Sequence, residues 1–388
     1  MLDFNDTKTA FILKSDNQLR KAYWLFRLVA NSSLVGLGRW ASELAIKVGL
    51  PIRSVVKQTV YDQFVGGETI EECQAIIDKL QEYGVHALLD FAVEGKETET
   101  DFNACKDEIV ETIRHAAKHP GIPFGVFKMT GVAAFDLMEK ISAELPLSEI
   151  DERAWERAKT RVDEICYTAK KYGLRIMIDA EETWIQKAID EVANEMMETY
   201  NQDRIVVINT LQMYRRDRLA FLKESMEHAK AKGYHYGAKL VRGAYMEKER
   251  ARAKEKGYDD PIHKTKADSD VHYNEAMLHM VENLDKTMII AGSHNEDSAR
   301  LLAEKVDELK IERGDERVWF SQLFGMSDNL SFNLAKEGFN VVKYLPFGPV
   351  TETLPYLIRR AEENTSASGQ SSRELSLIKK EMKRRGID

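Results

Sequence analysis

Gly84-Val-His-Ala-Leu-Leu-Asp-Phe91 sets the pattern on which the rest of the chain is built. A charged, helix-spaced run ends at the glycine, and a short apolar run follows it. Glycine most readily takes the left-handed conformation that closes a helix, so Gly84 marks a helix-to-strand junction. The junction recurs at Gly173 before Leu174–Ala180, at Gly233 before a run through Gly237–Tyr245, and at Gly338 before Phe339–Leu345. Four further strand candidates, Pro123–Thr130, Ile205–Leu211, Thr287–Gly292 and Val318–Leu323, fill the intervals. Eight strands alternating with helical segments over roughly 280 residues have the length and rhythm of an α/β fold, a (β/α)8 TIM-like barrel. A Rossmann-type sheet would need fewer strands and a Gly-rich first turn.

In such a barrel the chemistry sits at the C-terminal ends of the strands. Polar side chains stand at or just past nearly every one: Asp90 and Glu94, Lys128, Asp179, Gln212, Lys239 and Arg242, His294, Gln322, and Tyr344. Lys128, in Phe124-Gly-Val-Phe-Lys-Met129, is the sharpest case, because an ammonium in an apolar strand is costly unless paired. Asp90 and Asp179 are its expected partners. A buried ion pair that only fixes the barrel is the competing reading.

Residues 1–85 are expected to form an N-terminal helical segment, with helical spacing over Leu19–Ala30, Leu34–Val48 and Ile70–Tyr83. Residues 86–364 would be the barrel, and residues 365–388 a Ser/Gly-rich linker with a basic tail helix, Arg373–Arg385, expected to cap it. Val35-Gly-Leu-Gly-Arg-Trp-Ala41 imitates a dinucleotide fingerprint, but no strand precedes it. His115 and His119 have the i, i+4 spacing of metal ligands without an adjacent Glu or a third ligand, so they read as helix surface, and no metal is expected.

A net charge of −8 argues against a nucleic-acid partner. Cys73, Cys105 and Cys166 are isolated, which suits a reducing compartment. The acidic start is unlike a signal peptide. A cytoplasmic enzyme is therefore expected, with peripheral contact at the inner face of the membrane, through the N-terminal helices or the basic tail, left open.

The C-terminal stretch Tyr344-Leu-Pro-Phe-Gly-Pro-Val-Thr-Glu-Thr-Leu-Pro-Tyr-Leu-Ile-Arg-Arg-Ala-Glu-Glu-Asn364 carries the most specific signal. On a helix, Leu354, Leu357, Ile358 and Ala361 form one apolar stripe, and Tyr356, Arg359, Arg360 and Glu363 form the opposite one. Two adjacent guanidinium forks with tyrosines at Tyr356 and Tyr344 suit a small, partly apolar molecule bearing a carboxylate. This stretch closely resembles the C-terminal signature of the proline dehydrogenase family. The resemblance extends in order through Leu89-Asp90 with Glu94, Phe127-Lys128, Ile178-Asp-Ala-Glu-Glu182, Leu211-Gln-Met-Tyr214, Lys239-Leu-Val-Arg-Gly-Ala-Tyr245, Ser293-His-Asn295 and Leu323-Phe-Gly-Met326. The run from Arg242 to Arg252, the Asp260-Pro261 insertion and the basic tail resemble the eukaryotic-type branch, and the chain has no room for a second, aldehyde dehydrogenase domain.

The resemblance implies FAD across the barrel mouth. Gln212, Lys239, Val241, Gly243, Ala244, His294 and Glu363 would contact it, with Ser293 and Leu323 nearby. Arg359, Arg360 and Lys128 would hold the carboxylate of L-proline. Leu240, Tyr245, Tyr344 and Tyr356 would pack its ring, Asp179 would orient the basic end of the site, and Glu94, with Asp90 beside it, would gate the site by pairing with Arg359. Hydride would pass from proline C5 to flavin N5, giving 1-pyrroline-5-carboxylate, with a membrane quinone as acceptor by analogy with the family. Two rival readings stay open at this stage: a flavin-free barrel in which Lys128 forms a Schiff base, and a barrel that binds an amino acid as a sensor or serves as a scaffold.

Overall fold

The computed structural model describes residues 2–29, 56–92, 96–366 and 370–387. Eight parallel strands, β1 (Val85–Phe91), β2 (Phe124–Lys128), β3 (Arg175–Asp179), β4 (Val207–Gln212), β5 (Tyr236–Val241), β6 (Thr287–Gly292), β7 (Val318–Leu323) and β8 (Val341–Phe347), follow one another in sequence order around a closed barrel. The expected (β/α)8 architecture is therefore present. Three strands, β1, β6 and β7, coincide with the expected runs end for end. At β5 the strand stops at Val241, and Gly243, at φ 137°, turns the chain away before Tyr245. The dinucleotide-like run Val35–Ala41 and the expected helix over 34–48 lie outside the described residues.

The four junction glycines take the left-handed conformation, with φ 70° at Gly84, 77° at Gly173, 86° at Gly233 and 89° at Gly338. At Gly173 the cap closes the 24-residue helix Glu149–Tyr172, which opens on a reciprocal Ser148/Asp151 capping box. A Cβ added to Gly173 would have only the end of Arg204 within 4 Å, so backbone conformation rather than lack of space demands glycine there.

The chain divides into two compact units. The larger, Leu88–Ser321, holds the strand pairs in an unbroken register that sets Leu89 opposite Gly125, Lys128 opposite Asp179, Thr210 opposite Lys239, and Gly292 opposite Ser321. Its strands are buried on both faces, as expected of a parallel sheet covered by helices. The second unit, residues 1–87 and 322–388, contains the N-terminal helices, β8 and the helices Leu354–Ser366 and Gln370–Arg385. Its core joins Phe11, Leu19, Ala22, Phe26, Tyr61 and Phe64 to Leu377, Ile378 and Met382.

The basic tail, expected to cap the barrel, docks in that core. The thin stripe of Leu377, Ile378 and Met382 meets Leu19 and Phe26 of the helix Asp16–Val29, and Arg385 donates to the carbonyls of Phe11 and Lys14. An apolar stripe shows that a helix docks without showing on what.

Gly173→Ala should cost about 1 kcal/mol, since an L-residue must then hold a left-handed conformation. Urea unfolding of the variant beside wild type measures it, and an unchanged midpoint would mean that the cap relaxes.

Candidate functional site

Within Leu88–Ser321 the strand ends bring four charged residues together. The Lys128 ammonium lies 3.6 Å from Asp90 Oδ2 and 3.4 Å from Asp179 Oδ2. The Lys239 ammonium pairs with Asp179 Oδ1, and the Thr210 hydroxyl donates to the same oxygen at 3.4 Å. The cluster therefore runs Asp90, Lys128, Asp179, Lys239 from β1 to β5, alternating in sign, with side chains 3%, 12%, 11% and 6% exposed. At that burial an unpaired member would be expensive, and the alternation leaves none. The two partners expected for Lys128 are the observed ones. A Schiff base needs a lysine nitrogen free to attack a carbonyl, whereas that of Lys128 is engaged by two carboxylates, which works against the Schiff-base reading.

One side chain at this corner was not anticipated. Glu181, two residues past Asp179, is buried and accepts from the Thr130 amide at 3.0 Å and the Thr130 hydroxyl at 2.5 Å. It ties the end of β3 to the turn that follows Lys128. Burial pushes its carboxyl up to about 8 against the Thr130 hydrogen bonds. Its backbone carbonyl accepts from Gln212 Nε2 at 2.7 Å, and Gln212 Oε1 accepts from the Ala244 amide at 3.2 Å. The sequence shows Glu181 and Glu182 as adjacent acids after a strand, and only the fold reveals which partner each one finds: Lys248, from the helix Met246–Lys256, pairs with Glu182.

Beyond β5 the chain forms a polar cradle. Gly243 approaches the Tyr214 ring so closely that an added Cβ would lie 2.5 Å from it. Arg242 is held by Asp270 at 2.6 Å, Ser293 at 2.7 Å and Ser298 at 2.9 Å, with its guanidinium 4.3 Å from the Tyr273 ring centre. Val241 accepts from the Met213 amide at 2.7 Å, Leu240 is fully buried, and Tyr245 precedes the helix Met246–Lys256. His294 stands in the turn before the helix Glu296–Glu308, where Ser293 Oγ accepts from the Asn295 amide. A flavin dinucleotide asks for fixed cations near its phosphates and for amide and hydroxyl groups at close range. Lys239, Arg242, Gln212, Ser293 and the side-chain-free Gly243 supply these groups, so the residues of this corner fit FAD.

The second unit carries the other candidates. Tyr344 is buried on β8, and its carbonyl accepts from the Phe324 amide at 2.9 Å. On the helix Leu354–Ser366, Tyr356 and Arg360 are 5% and 7% exposed, and the Arg360 guanidinium lies 5.2 Å from the Tyr356 ring centre. The Tyr356/Arg360 stripe is therefore not a solvated face. Arg359 is half-buried beside it, and Leu323 packs against the apolar core of this unit. Glu94 and the Glu363 side chain lie outside the described residues. His115 and His119 stack with ring centres 4.4 Å apart.

The proline dehydrogenase family model matches residues 73–373. A carbapenem antibiotics biosynthesis protein, CarD, from Pectobacterium carotovorum subsp. carotovorum is 36% identical over 322 residues, covering 83% of each chain. Proline dehydrogenase 1, mitochondrial, of Arabidopsis thaliana is 30% identical, covering 100% of this chain and 87% of its own. Hydroxyproline dehydrogenase of Xenopus laevis is 31% identical, covering 99% and 90%. Among solved structures, proline utilization A of Bdellovibrio bacteriovorus superposes with a TM-score of 0.73 at 19% identity, covering 92% of this chain and 38% of that one. This chain thus spans less than two fifths of that protein, and the likeness bears on the fold.

The relatives named as proline dehydrogenases carry the designation mitochondrial, which overturns the cytoplasmic expectation, with or without contact at an inner membrane face. Isolated cysteines report a reducing, aqueous surrounding and do not say which such compartment holds the protein. Among the described residues no helix is long and apolar enough to cross a membrane.

Glu181→Gln should flatten a pH dependence of stability. A carboxyl raised to about 8 in the fold from 4.5 contributes stability that is present below pH 4.5 and lost as pH rises toward 8. The loss has a slope of at most about 1.4 kcal/mol per pH unit. Urea midpoints from pH 5 to 8 test this, and equal slopes for wild type and Glu181→Gln would show that Glu181 ionises normally.

Proposed function

This chain belongs to the proline dehydrogenase family, and we propose that it oxidises L-proline to 1-pyrroline-5-carboxylate, the first step of proline catabolism, with FAD as cofactor and a quinone as electron acceptor. The observation that carries this reading is the match of the family model to residues 73–373, a range that takes in all eight strands and the helix Leu354–Ser366. When bound, FAD supplies the acceptor for the hydride that leaves proline C5.

The residues divide the remaining work. Arg359 and Arg360 are assigned the substrate carboxylate, because two guanidinium forks hold a planar anion in a fixed orientation. Tyr344 and Tyr356 are assigned the pyrrolidine ring, with Leu240 and Tyr245 as further ring contacts. Lys128, Asp179 and Asp90 form the polar wall of the site, and Asp179 fixes both lysines. Gln212, Lys239, Val241, Gly243, Ala244, Ser293 and His294, with Leu323 and Glu363, are assigned to FAD. In the reaction the C5–H bond breaks, a C5=N bond forms and the amine loses a proton. The chain's part is mostly orientation, holding one end and one face of the ring so that a single hydrogen is presented.

Oxidation of hydroxyproline is the second reading, favoured by the hydroxyproline dehydrogenase of Xenopus laevis, which is as identical to this chain as the proline dehydrogenase of Arabidopsis thaliana is. Against it stands Tyr344, a full-sized side chain fixed in a buried strand, which should crowd a 4-hydroxyl.

Anaerobic addition of L-proline to the purified protein should bleach a flavin absorbance band, and trans-4-hydroxy-L-proline should do so much less efficiently. A flavin band that persists with proline but bleaches with hydroxyproline would transfer the assignment to the second reading. A colourless protein that takes up no FAD would remove both. Arg359→Lys should raise KM for proline on the order of tenfold by replacing a fork with a point charge, and an unchanged KM would take Arg359 out of the site.

A further inference from the structure

In the unit formed by residues 1–87 and 322–388, the segment that follows β7 is built from conformations that need support. Gly325 and Ser327 are both left-handed, at φ 79° and 49°. Glycine adopts that conformation freely, but serine resists it. Ser327 is also the N-cap of the helix Asp328–Lys336, and its own hydroxyl does not cap that helix. The amide of Ser327 itself finds its acceptor near the far end of the sequence: the Glu374 side chain, on the helix Gln370–Arg385, accepts from it.

Around this contact lies a buried charge cluster. Lys343 of β8 is 1% exposed, pairs with Asp328 at 2.8 Å and donates to the Met326 carbonyl at 2.6 Å, and Lys14 approaches Asp328 at 3.6 Å. Glu374 itself is 3% exposed. On the other side, Gln63 donates to the Gly325 carbonyl at 2.7 Å. The residue after Lys343 is Tyr344, whose carbonyl takes the Phe324 amide. Leu323 to Asp328 is thus clamped between two outside groups and bonded to the strand that carries Tyr344.

We propose that Glu374 is a positioning residue for substrate selection: from the C-terminal helix it holds Ser327 in its left-handed conformation and so fixes the segment Leu323–Asp328 against Tyr344. This rests on the assignment of Tyr344 to the substrate ring. The tail helix is then a working part of the site's frame, acting through Ser327. A purely structural role would reduce the folded fraction and lower the apparent kcat while leaving KM and selectivity alone.

The test compares Glu374→Ala, Glu374→Gln and Ser327→Gly/Glu374→Ala in the full chain. Amide hydrogen exchange over residues 324–328 is read together with kcat and KM for L-proline and trans-4-hydroxy-L-proline. Glu374→Ala should speed exchange in that segment about tenfold, raise KM for proline several-fold with kcat within twofold, and narrow the preference for proline. Glu374→Gln keeps an oxygen for the Ser327 amide and should stay near wild type. The double variant should recover KM and selectivity, because glycine takes the left-handed conformation unaided. Unchanged exchange, or faster exchange with unchanged KM and selectivity, overturns the proposal. If Glu374→Ala does not fold, the double variant decides: wild-type KM supports the proposal and a raised KM overturns it. Should the wild type fail to oxidise proline, the functional assignment falls and the exchange arm alone judges the clamp.

Discussion

Four charges of alternating sign, Asp90, Lys128, Asp179 and Lys239, are the constraint around which the larger unit is arranged. Ions taken out of water lose several kcal/mol of solvation each, and only close, well-placed partners return it. The strands must therefore end level with one another, and the register does this by setting Lys128 directly opposite Asp179. Removing one partner from such a buried pair costs about 3–5 kcal/mol, a large share of a domain's 5–15 kcal/mol total. The price of that geometry is visible in its neighbours, since Thr210, Glu181 and Gln212 all spend hydrogen bonds on the same strand ends.

That arrangement explains what could be read before the fold was known. Polar residues at apolar strand ends announced a barrel mouth, and Lys128 announced that it needed carboxylates, because an isolated ammonium there is untenable. The helix-closing glycines located four of the strands, since φ near 80° excludes most other residues. The partner of Lys239 was not legible in the same way. A lysine on β5 could serve a bound anion or a carboxylate two strands away, and only closure of the sheet brings Asp179 to it. Glu181 was hidden for a related reason: an acid after a strand is ordinarily solvated, and its burial depends on the turn at Thr130 reaching back to it.

The basic tail shows the same limit from the other side. Its composition, rich in Lys and Arg, suggests a surface element, yet Glu374 and Glu381 are 3% and 0% exposed. Arg384 and Arg385 bond to Glu381 at 2.7 Å, so the basic residues partly serve an acid inside the unit. Charge counted along a sequence does not report which members are spent internally. The helix docks through Leu377, Ile378 and Met382, and the polar contacts decide which loop it holds.

The charge balance also bears on how Lys128 would meet an anionic substrate. Lys128 already shares two carboxylates, and Lys239 shares one of them, so the cluster's formal charge sums to zero. A substrate carboxylate approaching Lys128 gains one attraction and meets two like charges close behind it, which leaves little net Coulomb energy. Arg359 and Arg360 stand on a helix with neighbouring aromatic and apolar side chains, and the guanidinium of Arg360 lies over the Tyr356 ring. The arginine pair is the proposed clamp for the carboxylate because each fork can hold a planar anion at two points. The lysine cluster, with its charges balanced among its own members, is suited to shaping and polarising the strand ends, which the strand-end pattern alone did not reveal.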